Sequence, residues 1–369
     1  MSRLSFYIFI PFYLMALLYL AITLPIGPHE ATIYYSDSSI LYGLTHLLDG
    51  YFSNGLTFRL PFLFFGFLNI LLFFKMSKHY FYNIEESYLA TTIFALLPGI
   101  ITSVVLVNIA VIVISFVLFF LIFYEKKAYL GQAISMIALL LVHDASVIFF
   151  IALAIFSAFK RDQVLFTISI LFTAISLIYF NGLKIGGKPS GEFLELFGLY
   201  MALFSPLIFF YFFYALYRIW VRERKDILWY ISFIAFILSI LLSLRQQVDM
   251  TNFVPYVIVS VVLMLVTYHR TLYVRLPRFQ KFYKVGFYIV FGSLVLSSTV
   301  IISHKLFFYI IDDKSKHFAS PFYQPYWQVL ELKEIGKNCY TVKNQKVQYQ
   351  LKYYGIEKCE DLTVPKIHR

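Results

Sequence analysis

Two long apolar stretches constrain this chain more than anything else in it. Residues 88–124 and 128–159 carry almost no charge, and each is interrupted only briefly, by Pro98-Gly99 and Asn108 in the first and by His143-Asp144 in the second. About 20 apolar residues make a helix that crosses the hydrocarbon core, so each stretch is too long for one crossing. Charge decides how they fold. Lys126 and Lys127 precede the second stretch and Lys160 and Arg161 follow it. Basic clusters stay on the cytoplasmic side, so the chain must go in and come back, with His143-Asp144 at the far turn. The same logic folds the first stretch between Lys75/Lys78 and Lys126/Lys127.

The rest of the chain obeys the same pattern. Only 14% of residues are charged and 60% are hydrophobic, against about 25% charged in a soluble domain. The sequence therefore predicts a polytopic membrane protein. A net charge of +11 does not point to nucleic acid, because the charges sit in short clusters between apolar runs. Spans are expected at roughly 4–24, 60–74, 88–106, 109–124, 128–142, 145–159, 163–180, 196–217, 227–244, 253–267 and 285–303. The first is too long for a signal-peptide core and no small-residue cleavage site follows, so it reads as a retained helix. Sixteen Lys and Arg residues fall on the assigned cytoplasmic side, against Arg59, Lys184, Lys188 and Arg245 in the opposite short loops. An odd number of spans then leaves the N-terminus cytoplasmic and the C-terminus outside. Abundant Phe and Ile with little Ala suggest an AT-rich bacterial genome, and the location expected is a bacterial cytoplasmic membrane.

The fold class expected is thus an all-α polytopic membrane protein of about 11 transmembrane helices. Residues 1–303 would form the membrane domain, with a long first outer loop at 25–59, and residues 304–369 a small α/β extracytoplasmic C-terminal domain. In that tail, 326–337 reads as a helix, while CYTV and VQYQLKYYG read as a strand and a strand or helix around a KNQ turn. Cys339 and Cys359 are the two cysteines of the chain. Outside the membrane the compartment is oxidising, which predicts a disulfide between them.

Polar chemistry gathers on the outer face. The loop from Gly27 to Arg59 holds His29, Glu30, Asp37, His46 and Asp49, with Tyr34 and Tyr35 between. A carboxylate is needed where a hydroxyl or amine loses its proton as it attacks carbon, and Glu30 and Asp37 are the candidates. Glu30 also reads as a loop acid capping a helix along the interface. His143-Asp144 lies at a hairpin tip in apolar sequence, where ionisable groups are expensive; it either carries function or satisfies freed backbone groups. Arg245, ahead of Asp249 and Asn252-Phe253-Val254-Pro255-Tyr256, fits a bidentate phosphate contact or a snorkelling anchor, and Arg59 has the same two readings. The glycines of Lys184–Glu192 match no phosphate-loop spacing, and a flexible outer loop is the simpler account. No metal-ligand pattern, nucleophile elbow or nucleotide motif is present, so neither a cofactor nor a divalent metal is indicated.

Taken in order, these features resemble the GT-C superfamily of integral-membrane glycosyltransferases, in the branch of aminoarabinose transferases and protein mannosyltransferases. Carrying the resemblance are His29-Glu30-Ala31 in the first outer loop, with His29 where the family has its first acid; Phe58-Arg59-Leu60-Pro61 entering the second span; Leu97-Pro98-Gly99; Val142-His143-Asp144-Ala145; Asn252-Phe253-Val254-Pro255; and the tail YWQVLELKEIGKNCYTV with YQLKYYG. The resemblance implies a polyprenyl-phosphate sugar donor, an envelope lipid, glycan or protein acceptor, and inversion at the anomeric carbon. It implies Glu30 or Asp37 as general base, with His29, Arg59, His143, Asp144 and Arg245 as the substrate-binding set. A transporter or flippase of lipid-linked saccharide, or a non-catalytic envelope-assembly protein, are the alternative readings.

Overall fold

The computed structural model describes residues 1–36, 40–49, 55–179, 186, 192–311 and 313–359. Asp37 and most of the Lys184–Glu192 loop lie outside the described residues. The apolar runs become helices close to where the pattern put them. Helix α1 spans Arg3–Thr23, and two short helices, α2 (Pro28–Ser36) and α3 (Ile40–His46), follow in the polar loop before α4 (Leu60–Tyr80). α5 (Ile84–Leu96) and α6 (Pro98–Val105) meet at a 61° bend. The cause is Pro98, which lacks an N–H and pushes the preceding Leu97 into extended backbone at φ −59°, ψ 129°.

Four helices then run back and forth: α7 (Ile109–Glu125), α8 (Tyr129–Val142), α9 (Val147–Lys160) and α10 (Gln163–Tyr179). Asn108 starts α7 by accepting from the Ala110 amide at 2.8 Å. α7 and α9 both end with a left-handed basic residue, Lys127 at φ 55° and Arg161 at φ 59°. α11 (Phe193–Phe204) and α12 (Pro206–Arg222) are bent by 106° at Ser205. The remaining helices are α13 (Ile227–Ser243), α14 (Val254–Ile258), α15 (Val261–Val274), α16 (Pro277–Ile302), α17 (His304–Ile310), α18 (Ser320–Glu334) and α19 (Gln345–Tyr353).

Two expectations need correction. Four helices are long and apolar enough to cross a membrane (α1, α4, α14 with α15, and α16), or up to six if each bent pair counts as one span. The expected count of about 11 is not supported. α7, α8, α10 and α13 have 17, 14, 17 and 17 residues, and at about 1.5 Å per residue they fall short of a core about 30 Å thick. The C-terminal domain is not α/β either. Among the described residues there is no strand, only an isolated parallel bridge between Cys339 and Glu357; most of VQYQLKYYG lies in α19. Several helices long and apolar enough to span suggest a membrane protein, α16 most of all, since only 11% of its apolar window is buried inside the protein.

The described chain divides into two compact units. The first comprises Met1–Leu18 and Phe62–Ile302. Its helices pack through small and hydroxyl residues as well as rings. Gly66 on α4 lets α6 approach so closely that a Cβ there would meet Val104 at 2.4 Å. Asn69 donates to the Val111 carbonyl at 2.7 Å and accepts from Ser115 at 2.7 Å, and Phe73 stacks on Phe94 at 4.0 Å. In lipid such contacts hold helices together by packing and hydrogen bonding, because burial from hydrocarbon gains little.

The second unit comprises Tyr19–Pro61 and Ser303–Arg369, which joins the polar loop to the tail. Its small core is Val329 and Leu332 of α18 with Leu351 of α19 and Ile356. Cys339 and Cys359 are joined by a disulfide, with their Cα atoms 4.9 Å apart.

Candidate functional site

The second unit is organised around the connector from α1 to α2. The end of a helix leaves carbonyls without partners, and here Arg59 takes them. Its Nη1 donates to the Ala21 carbonyl at 2.8 Å and the Leu24 carbonyl at 2.7 Å, and Nη2 donates to the Pro25 carbonyl at 3.1 Å. The other two guanidinium N–H groups form a fork on Glu30, Nε to Oε1 at 2.9 Å and Nη2 to Oε2 at 2.6 Å. All five donors are therefore used, on a side chain that is wholly buried.

Glu30 has its own reason to be there. Gly27 caps α2, Pro28 fills the first helical position, where no N–H is needed, and Glu30 stands three residues after the cap. Its Oε2 accepts from the Gly27 amide at 2.7 Å, the returning half of a capping box. Gly27 cannot be larger, since a Cβ would lie 2.6 Å from the Phe322 ring. The tail completes the connector: Tyr354 Oη accepts from the Ile26 amide at 3.1 Å, and Gln350 Nε2 donates to the Ile26 carbonyl at 2.7 Å.

A second cluster sits beside this connector in the same unit. The Tyr34 ring stacks on His46 at 4.2 Å, and its hydroxyl donates to Asp49 Oδ2 at 3.2 Å. His46 Nε2 lies 3.8 Å from the same carboxylate oxygen, and its Nδ1 meets the Tyr42 carbonyl at 2.9 Å. A carbonyl only accepts, so Nδ1 carries a proton. Burial, with the Asp49 charge adding to it, pushes the Tyr34 phenol up to about 12, so it stays a donor. Tyr353 and Phe58 close on Tyr34 edge to face, and Tyr35 stacks on Tyr349 at 5.8 Å. The result is a half-exposed carboxylate, an imidazole and a phenol framed by flat aromatic faces. A carboxylate so placed can accept a hydroxyl proton, and the rings suit the apolar face of a sugar.

In the first unit, His143 is buried and hydrogen-bonded through Nδ1 to Tyr256 Oη at 2.9 Å. Loss of solvation pushes its pKa down to about 4, opposed in part by Asn252 and the Asp249 charge. Burial thus favours its neutral form, with Nδ1 occupied by the Tyr256 hydroxyl. Two sequence candidates thus come together, the hairpin tip and the Asn252–Tyr256 segment. Asp144 is exposed at the start of a single 3-10 turn, Arg245 is exposed just beyond α13, and His29 is exposed in the first turn of α2.

Sequence reasoning paired neither Glu30 with Arg59 nor the tail residues Gln350 and Tyr354 with the loop. Among the described residues, no three His, Cys, Asp or Glu side chains gather as a metal site. No protein-family model, curated protein or solved structure matches this chain.

Proposed function

We propose that this chain is a membrane glycosyltransferase that moves a sugar from a polyprenyl-phosphate donor to an envelope lipid, glycan or protein acceptor. In this reading the loop-and-tail unit lies on the outer face of a bacterial cytoplasmic membrane. The observation that carries it is the Asp49–Tyr34–His46 cluster with its aromatic frame, standing in the loop whose order of motifs resembles GT-C enzymes. The charge distribution and the Cys339–Cys359 bond support the outer face, where a soluble nucleotide sugar is absent and a lipid-carried donor is needed.

The roles are as follows. Asp37, which directly follows α2 in sequence, is the general base toward the acceptor, and Asp49 is the second carboxylate of the site. Glu30 is a positioning residue that acts through Arg59. The exposed His29 imidazole, in the same unit as this cluster, is the group that meets the donor phosphate and eases its departure.

The test uses membrane vesicles carrying the full chain, a labelled polyprenyl-phosphate sugar and the cell's own envelope acceptors. Loss of general-base assistance lowers transfer by roughly 10²–10⁴-fold, so Asp37→Asn is expected to transfer at least about 100-fold less label at equal protein level. Unchanged transfer in both Asp37→Asn and Asp49→Asn would remove the site, and label that crosses the vesicle without a new glycosidic bond would assign carriage instead.

A further inference from the structure

We propose that the first unit holds a binding site for a phosphoryl group in the cleft between the C-terminal ends of α12 and α15. The inference is independent of glycosyl transfer and uses none of its residues. The cleft has a volume of about 490 Å³, and Arg218, Arg222, Thr271, Arg275, Tyr214 and Tyr217 line it.

Its charge is unbalanced in one direction. Glu223 is the carboxylate among these arginines, and it is already shared: Arg218 Nε lies 3.4 Å from its Oε1, and Arg270 Nη1 pairs with its Oε2. Among the described residues, Arg222 and Arg275 have no carboxylate within ion-pair distance. Arg275 instead lies over the Tyr283 ring, 4.5 Å from its centroid. Among the described residues, four guanidinium groups (Arg218, Arg222, Arg270 and Arg275) therefore stand against Glu223, with Asp226 acting on Arg270 as a second negative charge. Two helix C-termini at the same place favour the cations being there, but together they offset only about one unit charge, so the cleft keeps a positive field.

Arg218 is also held ready. Its Nη1 donates to Thr271 Oγ1, and that hydroxyl donates in turn to the Thr267 carbonyl at 2.7 Å. The Nε atom is buried without a hydrogen bond, since Glu223 is within ion-pair reach but out of line. A buried donor left unmade is costly, and an anion entering the cleft relieves it. Several guanidinium forks around one space suit the oxygens of a phosphate. Tyr217, 54% exposed, and Tyr214, 43% exposed, form a wall with apolar faces and polar tips, which fits the boundary between headgroups and chains. Basic pockets of this kind between membrane helices take phospholipid headgroups; a free phosphate offers the same chemistry.

The experiment is native mass spectrometry of the intact purified chain with phosphatidylglycerol and, separately, phosphatidylcholine of the same acyl chains. Arg222→Gln/Arg275→Gln removes two exposed cleft charges, and Arg224→Gln/Arg278→Gln removes two exposed charges elsewhere, so fold and net charge are matched. Wild type and the second variant are expected to retain phosphatidylglycerol preferentially, and the cleft variant to lose that preference by about tenfold, near 1.4 kcal/mol. Phosphatidylglycerol that millimolar inorganic phosphate leaves in place identifies a lipid phosphate as the occupant; displacement by inorganic phosphate identifies the free anion in the same site. Equal retention by the two double variants overturns the proposal.

Discussion

At the scale of single residues, Arg59 and Glu30 explain each other. Both readings of each were visible in the sequence, base or cap for Glu30 and phosphate contact or anchor for Arg59, because residue type alone does not say where a side chain ends. Their pairing across 29 positions depends on how the connector folds back, which no local pattern encodes. It makes a sharp expectation. Removing one partner of a buried pair costs about 3–5 kcal/mol, so Glu30→Gln and Arg59→Gln should each lower the unfolding midpoint markedly, while Glu30→Gln/Arg59→Gln should cost less than the sum of the two. Transfer activity measured per folded molecule separates this from catalysis: a positioning role leaves much of it intact. His317 offers a pH test in the same unit. Its Nδ1 accepts from the Ala319 amide at 2.9 Å and its Nε2–H donates to the His304 carbonyl at 3.1 Å, with Phe308 stacked at 3.7 Å. Burial lowers its pKa, with the His304 carbonyl opposing. The unfolded chain then takes up the proton first, so stability is full above about 6.5 and declines as pH falls below it until the folded group also titrates. His317→Asn should flatten that part of a stability–pH curve relative to wild type; a slope that persists unchanged would remove His317 as its source.

At the scale of elements, helix positions were legible because apolar runs and breakers mark them. Pro98 and Pro206 fix two bends, yet 196–217 still read as a single straight span. The reason is Ser205, whose backbone stands at φ 74°, ψ 138°, a region serine rarely enters. The hydroxyl gives a local rationale: Ser205 Oγ lies 3.3 Å from Ser293 Oγ and accepts from Ser297 Oγ at 3.2 Å. Positive φ in a non-glycine residue costs about 1–3 kcal/mol, and each hydrogen bond returns about 0.5–1.5 kcal/mol. Ser205→Ala loses the hydrogen bonds and keeps the strain, whereas Ser205→Gly loses both. Ser205→Gly should therefore be the more stable of the two variants by about 1–2 kcal/mol, read from thermal midpoints in one detergent. The reverse order would mean that the bend is held by packing on the serine Cβ.

At the scale of the whole molecule, the loop Gly27–Arg59 and the tail had been separable on paper, because composition changes at residue 304 and nothing in the sequence joins it to residue 26. Structure joins them through contacts 324 and 328 positions apart, Gln350 to Ile26 and Tyr354 to Ile26. The disulfide was legible from two cysteines in a polar tail; its consequence for the loop was not. The tail's own core is four aliphatic residues, so the Cys339–Cys359 bond, closing 20 positions, matters: loops of this size are worth about 3 kcal/mol of constraint on the unfolded chain. Reduction should loosen α19, and loosening α19 withdraws both partners of Ile26, leaving buried backbone groups unmade at about 1–3 kcal/mol each. Brief proteolysis of the reduced protein should then cut between Gly27 and Arg59 as well as within the tail, and Cys339→Ser/Cys359→Ser should behave the same way without reductant. Cleavage confined to the tail would mean that the connector is held by Arg59 and Glu30 alone.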